Sequence, residues 1–189
     1  GKASGYIFWP QGARHVVYRG TDGAIHDVWG TENGSFHTDA SGAADADAAS
    51  ADPHGYPLDD QHVHCVAYCA GSKLVELSWS QVDSLGPDAD AELDTAWRAD
   101  VLYEAPQGGP KPAGRPLGGV FTPNRGVVYR LENNQLFSVV QTGVQGAWSR
   151  NLLNGGTVPQ AASDPTGFVM SKTSLDVTTI LSRHIFFRS

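Results

Sequence analysis

The sequence predicts an all-β chain: a β-propeller assembled from four-stranded blade repeats, with about three and a half blades along its 189 residues. Three observations lead there. First, a boundary segment recurs. ADPHGYPL (51–58), GRPLGGVF (114–121) and SDPTGFVM (163–170) each carry Pro, a spacer, Gly and an apolar run, and GYIF (5–8) opens the chain in the same way without its Pro. Second, each boundary precedes a run rich in β-formers: RHVVYRG (14–20), HCVAYCA (64–70), GVVYRLE (126–132) and RHIFFRS (183–189), which align on Tyr18, Tyr68, Tyr129 and Phe187. Third, no segment sustains a 3.6-residue apolar period between caps, so helix is expected to be minor.

The elements follow in order. The first unit, about 5–53, opens on GYIF and continues through RHVVYRG to the hairpin signal Asp22-Gly23. AIHDVW (24–29) gives its third strand, and the fourth begins at Phe36. The second unit, about 54–115, repeats this with LVELSW (74–79) as third strand and a fourth beginning at Trp97. The third unit, about 116–165, turns at Asn133-Asn134 into QLFSVV (135–140) and starts its last strand at Trp148. Residues 166–189 hold only the first two strands of a partial blade, and 1–189 reads as a single repeat domain.

The first two strands of each unit are apolar on both faces, which suits sheets sandwiched between neighbours. Three and a half blades fall short of the roughly four to eight that close a ring, and an open arc exposes edges and bare faces. The chain is therefore expected to self-associate as a homo-oligomer, a dimer of two half-rings being the simplest case. The alternative is a fragment of a longer propeller.

Composition narrows the function classes. Thirteen Lys+Arg against 20 Asp+Glu leave a net charge of −7, against the basic footprint that phosphate binding needs, so no nucleic-acid partner is expected. No stretch approaches 18 apolar residues, so no membrane insertion is expected. No basic n-region with an apolar segment opens the chain; a signal peptide is expected to be absent or already removed. A soluble protein, secreted or surface-associated rather than cytoplasmic, is the favoured location. Cys65 and Cys69 share a strand face but sit roughly 13 Å apart, beyond the reach of about 7 Å for a disulfide. Two buried free thiols are expected.

The run ARHVVYRGTDGAIHDVW in the first unit resembles the repeats of fungal and bacterial fucose-specific β-propeller lectins, which carry HVVYRGTDG followed by an acidic residue and Trp. The resemblance is specific over 5–53 and weaker elsewhere. It implies monosaccharide pockets between neighbouring blades, in which Arg19 and Asp27 bond sugar hydroxyls and Trp29 stacks on the ring. Asp27 stands where the family usually has Glu. Physically, the guanidinium fork and a carboxylate match vicinal hydroxyls, and a flat ring matches the C–H face of a sugar. Register decides whether these residues meet. A two-residue turn at Asp22-Gly23 sets Arg19 opposite His26 and turns Asp27 away, whereas an odd-length loop puts Arg19, Ile25, Asp27 and Trp29 on one face.

The other units depart from this pattern. In the second, Cys69 replaces the Arg and Leu77 the acid, while Trp79 persists and Glu76 lies one residue off. In the third, Arg130 persists, with Ser138 and Val140 in place of acid and Trp. The partial unit keeps Arg188. Glu76, Trp79, Arg130 and Arg188 are thus weaker ligand-binding candidates. Trp97 and Trp148 are expected to fill inter-blade core.

His62-Val63-His64 places two imidazoles on one strand face, a metal half-site for which the sequence offers no third ligand, so His15, His62, His64 and His184 are read as structural and no metal or cofactor is expected. The acidic stretches 38–52 and 82–94 lack the calcium-loop pattern and read as a linker and an insertion, both solvated loops. Nucleophile-elbow, phosphate-loop and zinc-helix motifs are missing. The leading expectation is a non-catalytic lectin-like propeller binding a terminal monosaccharide, fucose being the sugar that the resemblance names. A propeller interaction or assembly module with relic sugar sites is the alternative, and a glycan-acting hydrolase the third.

Overall fold

The computed structural model describes residues 1–8, 12–32, 34–58, 63–80, 96–121, 124–142, 146–154, 159–172 and 180–189. His62 and the acidic insertion 82–94 lie outside the described residues. The chain is all-β. Strands β1 (Ser4–Phe8), β2 (Ala13–Arg19), β3 (Ile25–Thr31) and β4 (Gly34–Asp39) form an antiparallel sheet in chain order. So do β5 (His54–Leu58), β6 (Val63–Ala70), β7 (Lys73–Ser80) and β8 (Arg98–Glu104), and then β9 (Pro112–Phe121), β10 (Asn124–Leu131), β11 (Leu136–Gln141) and β12 (Trp148–Leu152). A last pair, β13 (Thr166–Lys172) and β14 (Ile180–Phe186), makes a two-stranded sheet. β9 begins at Pro112 and so straddles the 115/116 boundary set by the repeats. Among the described residues no helix is long and apolar enough to cross a membrane.

The four sheets pack in chain order. β6 is buried on both faces: Val66 and Tyr68 join Val17 and Ile25 of the first sheet, while Cys65, Ala67 and Cys69 join Val127, Tyr129 and Leu131 of the third. Ile185 and Phe187 then pack on Val128 and Leu136. The first sheet departs from the two-sided expectation. β2 alternates, burying Ala13, His15 and Val17 and leaving Arg14 and Val16 to solvent, because among the described residues no sheet covers its outer face.

The opening strands explain the recurring boundary glycine. A side chain at Gly55 would strike the Tyr6 ring and Val17 Cγ2, and one at Gly118 would overlap the Tyr56 ring. Each first-strand tyrosine thus lies on the glycine of the following sheet. The same strands are tethered by matching hydrogen bonds: Gly55 N–H donates to Ser4 Oγ at 3.2 Å, and Gly118 N–H to His54 Nδ1 at 3.1 Å.

His54 accepts only while neutral, and burial together with the Arg115 charge pushes its pKa down to about 4. Between pH 6.5 and 4 the unfolded chain takes up a proton that the folded chain refuses, so stability falls on acidification, by about 1.4 kcal/mol per pH unit at most. Urea midpoints across that range should be less pH-dependent in His54→Gln than in wild type; identical slopes would refute the tether.

The stretch 38–52 is largely exposed, as a solvated linker should be, but is pinned at a few points. Asp39 caps the short helix α1 (Ala40–Ala43), accepting from Gly42 N–H at 2.8 Å. Ala40 and Ala49 are buried between the first two sheets, and Asp47 pairs with Lys73 at 2.7 Å.

Candidate functional site

The hairpin after β2 decides the geometry of the first unit. Arg19 pairs with Ile25, Val17 with Asp27 and His15 with Trp29, leaving the five-residue loop 20–24. Gly20 N–H donates to Ala24 O, and Gly23 adopts φ +85°, a left-handed conformation that glycine tolerates. The odd loop therefore forms, and Arg19, Ile25, Asp27 and Trp29 share the face turned to the second sheet.

Sharing a face does not bring all three candidates into one pocket. A cavity of about 420 Å³ opens between the first two sheets, lined by His15, Trp29 and Thr38 on one side and His64, Trp79 and Trp97 on the other. Trp29 lies 6.1 Å from His15, nearly parallel, and stacks at 5.5 Å on exposed Phe36. Trp79 and Trp97 meet His64 edge-on at 5.1 and 4.8 Å. Trp97 is packed in the inter-sheet core as expected and also lines the cavity.

Asp27 lies beneath this wall, 1% exposed, and accepts from His15 Nδ1 at 2.9 Å. Arg19 is half-buried and is not among the described residues that line the cavity; its Nε is buried with no hydrogen-bond partner among the described residues. Tyr6 reaches across from β1, its hydroxyl 2.7 Å from His64 Nδ1. Burial pushes the Tyr6 hydroxyl pKa up and, with the neighbouring His15, takes His64 down to about 3. His64 is thus neutral at ordinary pH.

The ladders revise the alignment of the second unit. Val17 pairs with Asp27, Ala67 with Glu76, and Val128 with Ser138, each one residue before its aligned tyrosine. Glu76, not Leu77, therefore holds the position of Asp27. Trp79 pairs with His64 and points back at the first sheet, so it is not the counterpart of Trp29; it faces the same cavity from across the interface. The linear spacing misled by one residue because β6 and β7 turn through Gly71-Ser72, whereas the first hairpin uses five residues.

Glu76 is fully buried between the second and third sheets, where the Tyr56 hydroxyl donates to Oε1 and Arg125 approaches Oε2 at 3.4 Å. Burial raises its pKa, opposed by Arg125 and Tyr56. Arg125 also lies over the Trp148 ring at 5.0 Å. At this interface the acid is engaged by the protein itself.

Arg130 and Arg188 line a second cavity of about 670 Å³, together with Lys2, Arg115, Asp52 and Asp164. There Arg130 pairs with Asp164 at 3.3 Å and donates to Asn134 Oδ1 at 3.1 Å.

No protein-family model matches this chain, and no curated protein matches it.

Proposed function

We propose that the chain is a lectin-like carbohydrate-binding module, a β-propeller whose four sheets are successive blades, taking a monosaccharide in the cavity between the first two. One observation carries the reading: three tryptophans from two sheets converge on a cavity of about 420 Å³. That size is within the range of small-molecule sites, and flat indole faces suit the C–H face of a sugar at little entropic cost. The imidazoles of His15 and His64 supply polar edges. Consecutive four-stranded sheets packed with their opening strands adjacent support the propeller arrangement. The site is non-catalytic in this reading, and fucose is the first sugar to try.

Assembly belongs to the same proposal. Tyr68 and Tyr129 each face the preceding sheet, and among the described residues no sheet covers the Tyr18 face of the first, where Ile7 and Val16 are 48% and 42% exposed. Phe186, on the last sheet, is also exposed. A second copy of the chain, stacked by the same rule, covers both ends. The rival reading, an assembly module with relic sugar sites, draws on Glu76, which is wholly enclosed and engaged by Arg125 and Tyr56 of the protein itself.

Calorimetric titration with a panel of monosaccharides including L-fucose, on samples whose mass is fixed by sedimentation, tests both parts. Trp29→Ala and Trp79→Ala should each weaken binding by about tenfold or more, and Arg19→Ala by less than about threefold. No binding by wild type, or Trp variants that bind like wild type, would sink the carbohydrate reading. A stable monomer would sink the assembly.

A further inference from the structure

The floor of the tryptophan-lined cavity sets a buried carboxylate beside its two imidazoles, a grouping of three that the carbohydrate reading does not use. His15, Asp27 and His64 are 4%, 1% and 2% exposed, and one donor atom of each lies within 4.8 Å of the others. Two sheets contribute: His15 and Asp27 come from β2 and β3, His64 from β6.

One pair of the three already has nearly the spacing of a coordination sphere. Ligands about 2.0–2.1 Å from a tetrahedral ion stand roughly 3.3 Å apart, and His15 Nδ1 lies 2.9 and 3.2 Å from the two Asp27 carboxylate oxygens. Exchanging their shared proton for an ion needs a few tenths of an ångström, while the three donor atoms, within 4.8 Å of one another, close by up to about 1.5 Å to complete the shell. The Tyr6 hydroxyl at 2.7 Å fixes the His64 ring through Nδ1; a hydroxyl accepts as readily as it donates, so this contact survives ligation. The other nitrogen of His15, Nε2, is buried with no hydrogen-bond partner among the described residues.

We propose that His15, Asp27 and His64 bind a divalent transition metal of the zinc class, with its remaining coordination position open to the cavity. Two imidazoles and one carboxylate suit zinc, whereas calcium and magnesium prefer all-oxygen shells. The proposal stands whether or not the cavity holds a sugar.

The test uses the full chain, stripped with a chelator and titrated with zinc chloride alone, while the imidazole nitrogens are followed by NMR. About one equivalent should bind, shifting the resonances of His15 and His64. Asp27→Asn and His64→Ala should each weaken zinc binding by about tenfold or more, with magnesium and calcium inert. The wild-type spectrum decides the matter even where a variant fails to fold. No zinc uptake would overturn the site. So would a response confined to half-buried His26 and exposed His37, 3.2 Å apart on the outer face of the first sheet.

Discussion

Arg125→Met is expected to destabilise the chain by about 3–5 kcal/mol, the cost of leaving a buried charge without its partner. Glu76 is 0% exposed, and Arg125 is the cation that approaches its carboxylate, from the next sheet. Without the guanidinium the carboxyl keeps, among the described residues, only the Tyr56 hydroxyl, and the stacking on Trp148 is lost as well. The double variant Glu76→Gln/Arg125→Met should recover most of the loss, because a neutral amide beside a thioether no longer buries an unpaired charge.

The deficit should also shrink on acidification. An orphaned Glu76 folds neutral, its pKa raised above that of the unfolded chain, so stability is gained as pH falls from 7 towards the ordinary carboxylate range. Urea unfolding at pH 7 and pH 5 measures both effects. A loss below about 1 kcal/mol, or one that grows at pH 5, would show that the pair does not bind the sheets together.

Gly118→Ala should cost about 1–3 kcal/mol, the usual penalty for overpacking an interior that cannot yield. The added methyl overlaps the Tyr56 ring, which is 4% exposed and anchored at its far end by the bond to Glu76. The ring cannot retreat without giving up that bond, so the third sheet must move away from the second. Gly30→Ala is the matched control. It is also a strand glycine, but its new methyl would stand 3.8 Å from Ser35 Oγ, an ordinary contact. Its effect should stay within about 0.5 kcal/mol. Equal behaviour of the two variants in thermal unfolding would mean that the sheets do not approach as closely as described.

The strands were legible because each carries a local signal. The β-branched and aromatic runs, the turn residues and the recurring glycine all report on a few neighbouring positions, and the strands lie within a few residues of them, β14 (Ile180–Phe186) starting before the 183–189 run and ending short of its aligned Phe187. The site was legible only in part. Trp29 and Asp27 fall on one face as an odd loop requires, yet Arg19 shares that face without reaching the cavity. Tyr6, His15 and Trp97 went unassigned as site residues because their importance arises between sheets, from contacts that no window of sequence contains. A signal for His64 did exist in the pair His62-Val63-His64, but the partners that complete its surroundings are a histidine and a carboxylate 49 and 37 residues earlier in the chain. The hairpin lengths hid Glu76 in a different way: a loop shortened by an odd number of residues shifts the alignment and exchanges the faces of everything after it.

The two cysteines give the chain an internal clock. Both thiols are wholly enclosed on the face of β6 that meets the third sheet, and burial pushes the pKa of Cys69 up to about 12 and that of Cys65 higher than an ordinary thiol. A thiol that is neither ionised nor reachable does not react, so an alkylating reagent finds these sulfurs only during moments when the second and third sheets part. The rate of labelling therefore counts those openings directly, in a folded population and without denaturant.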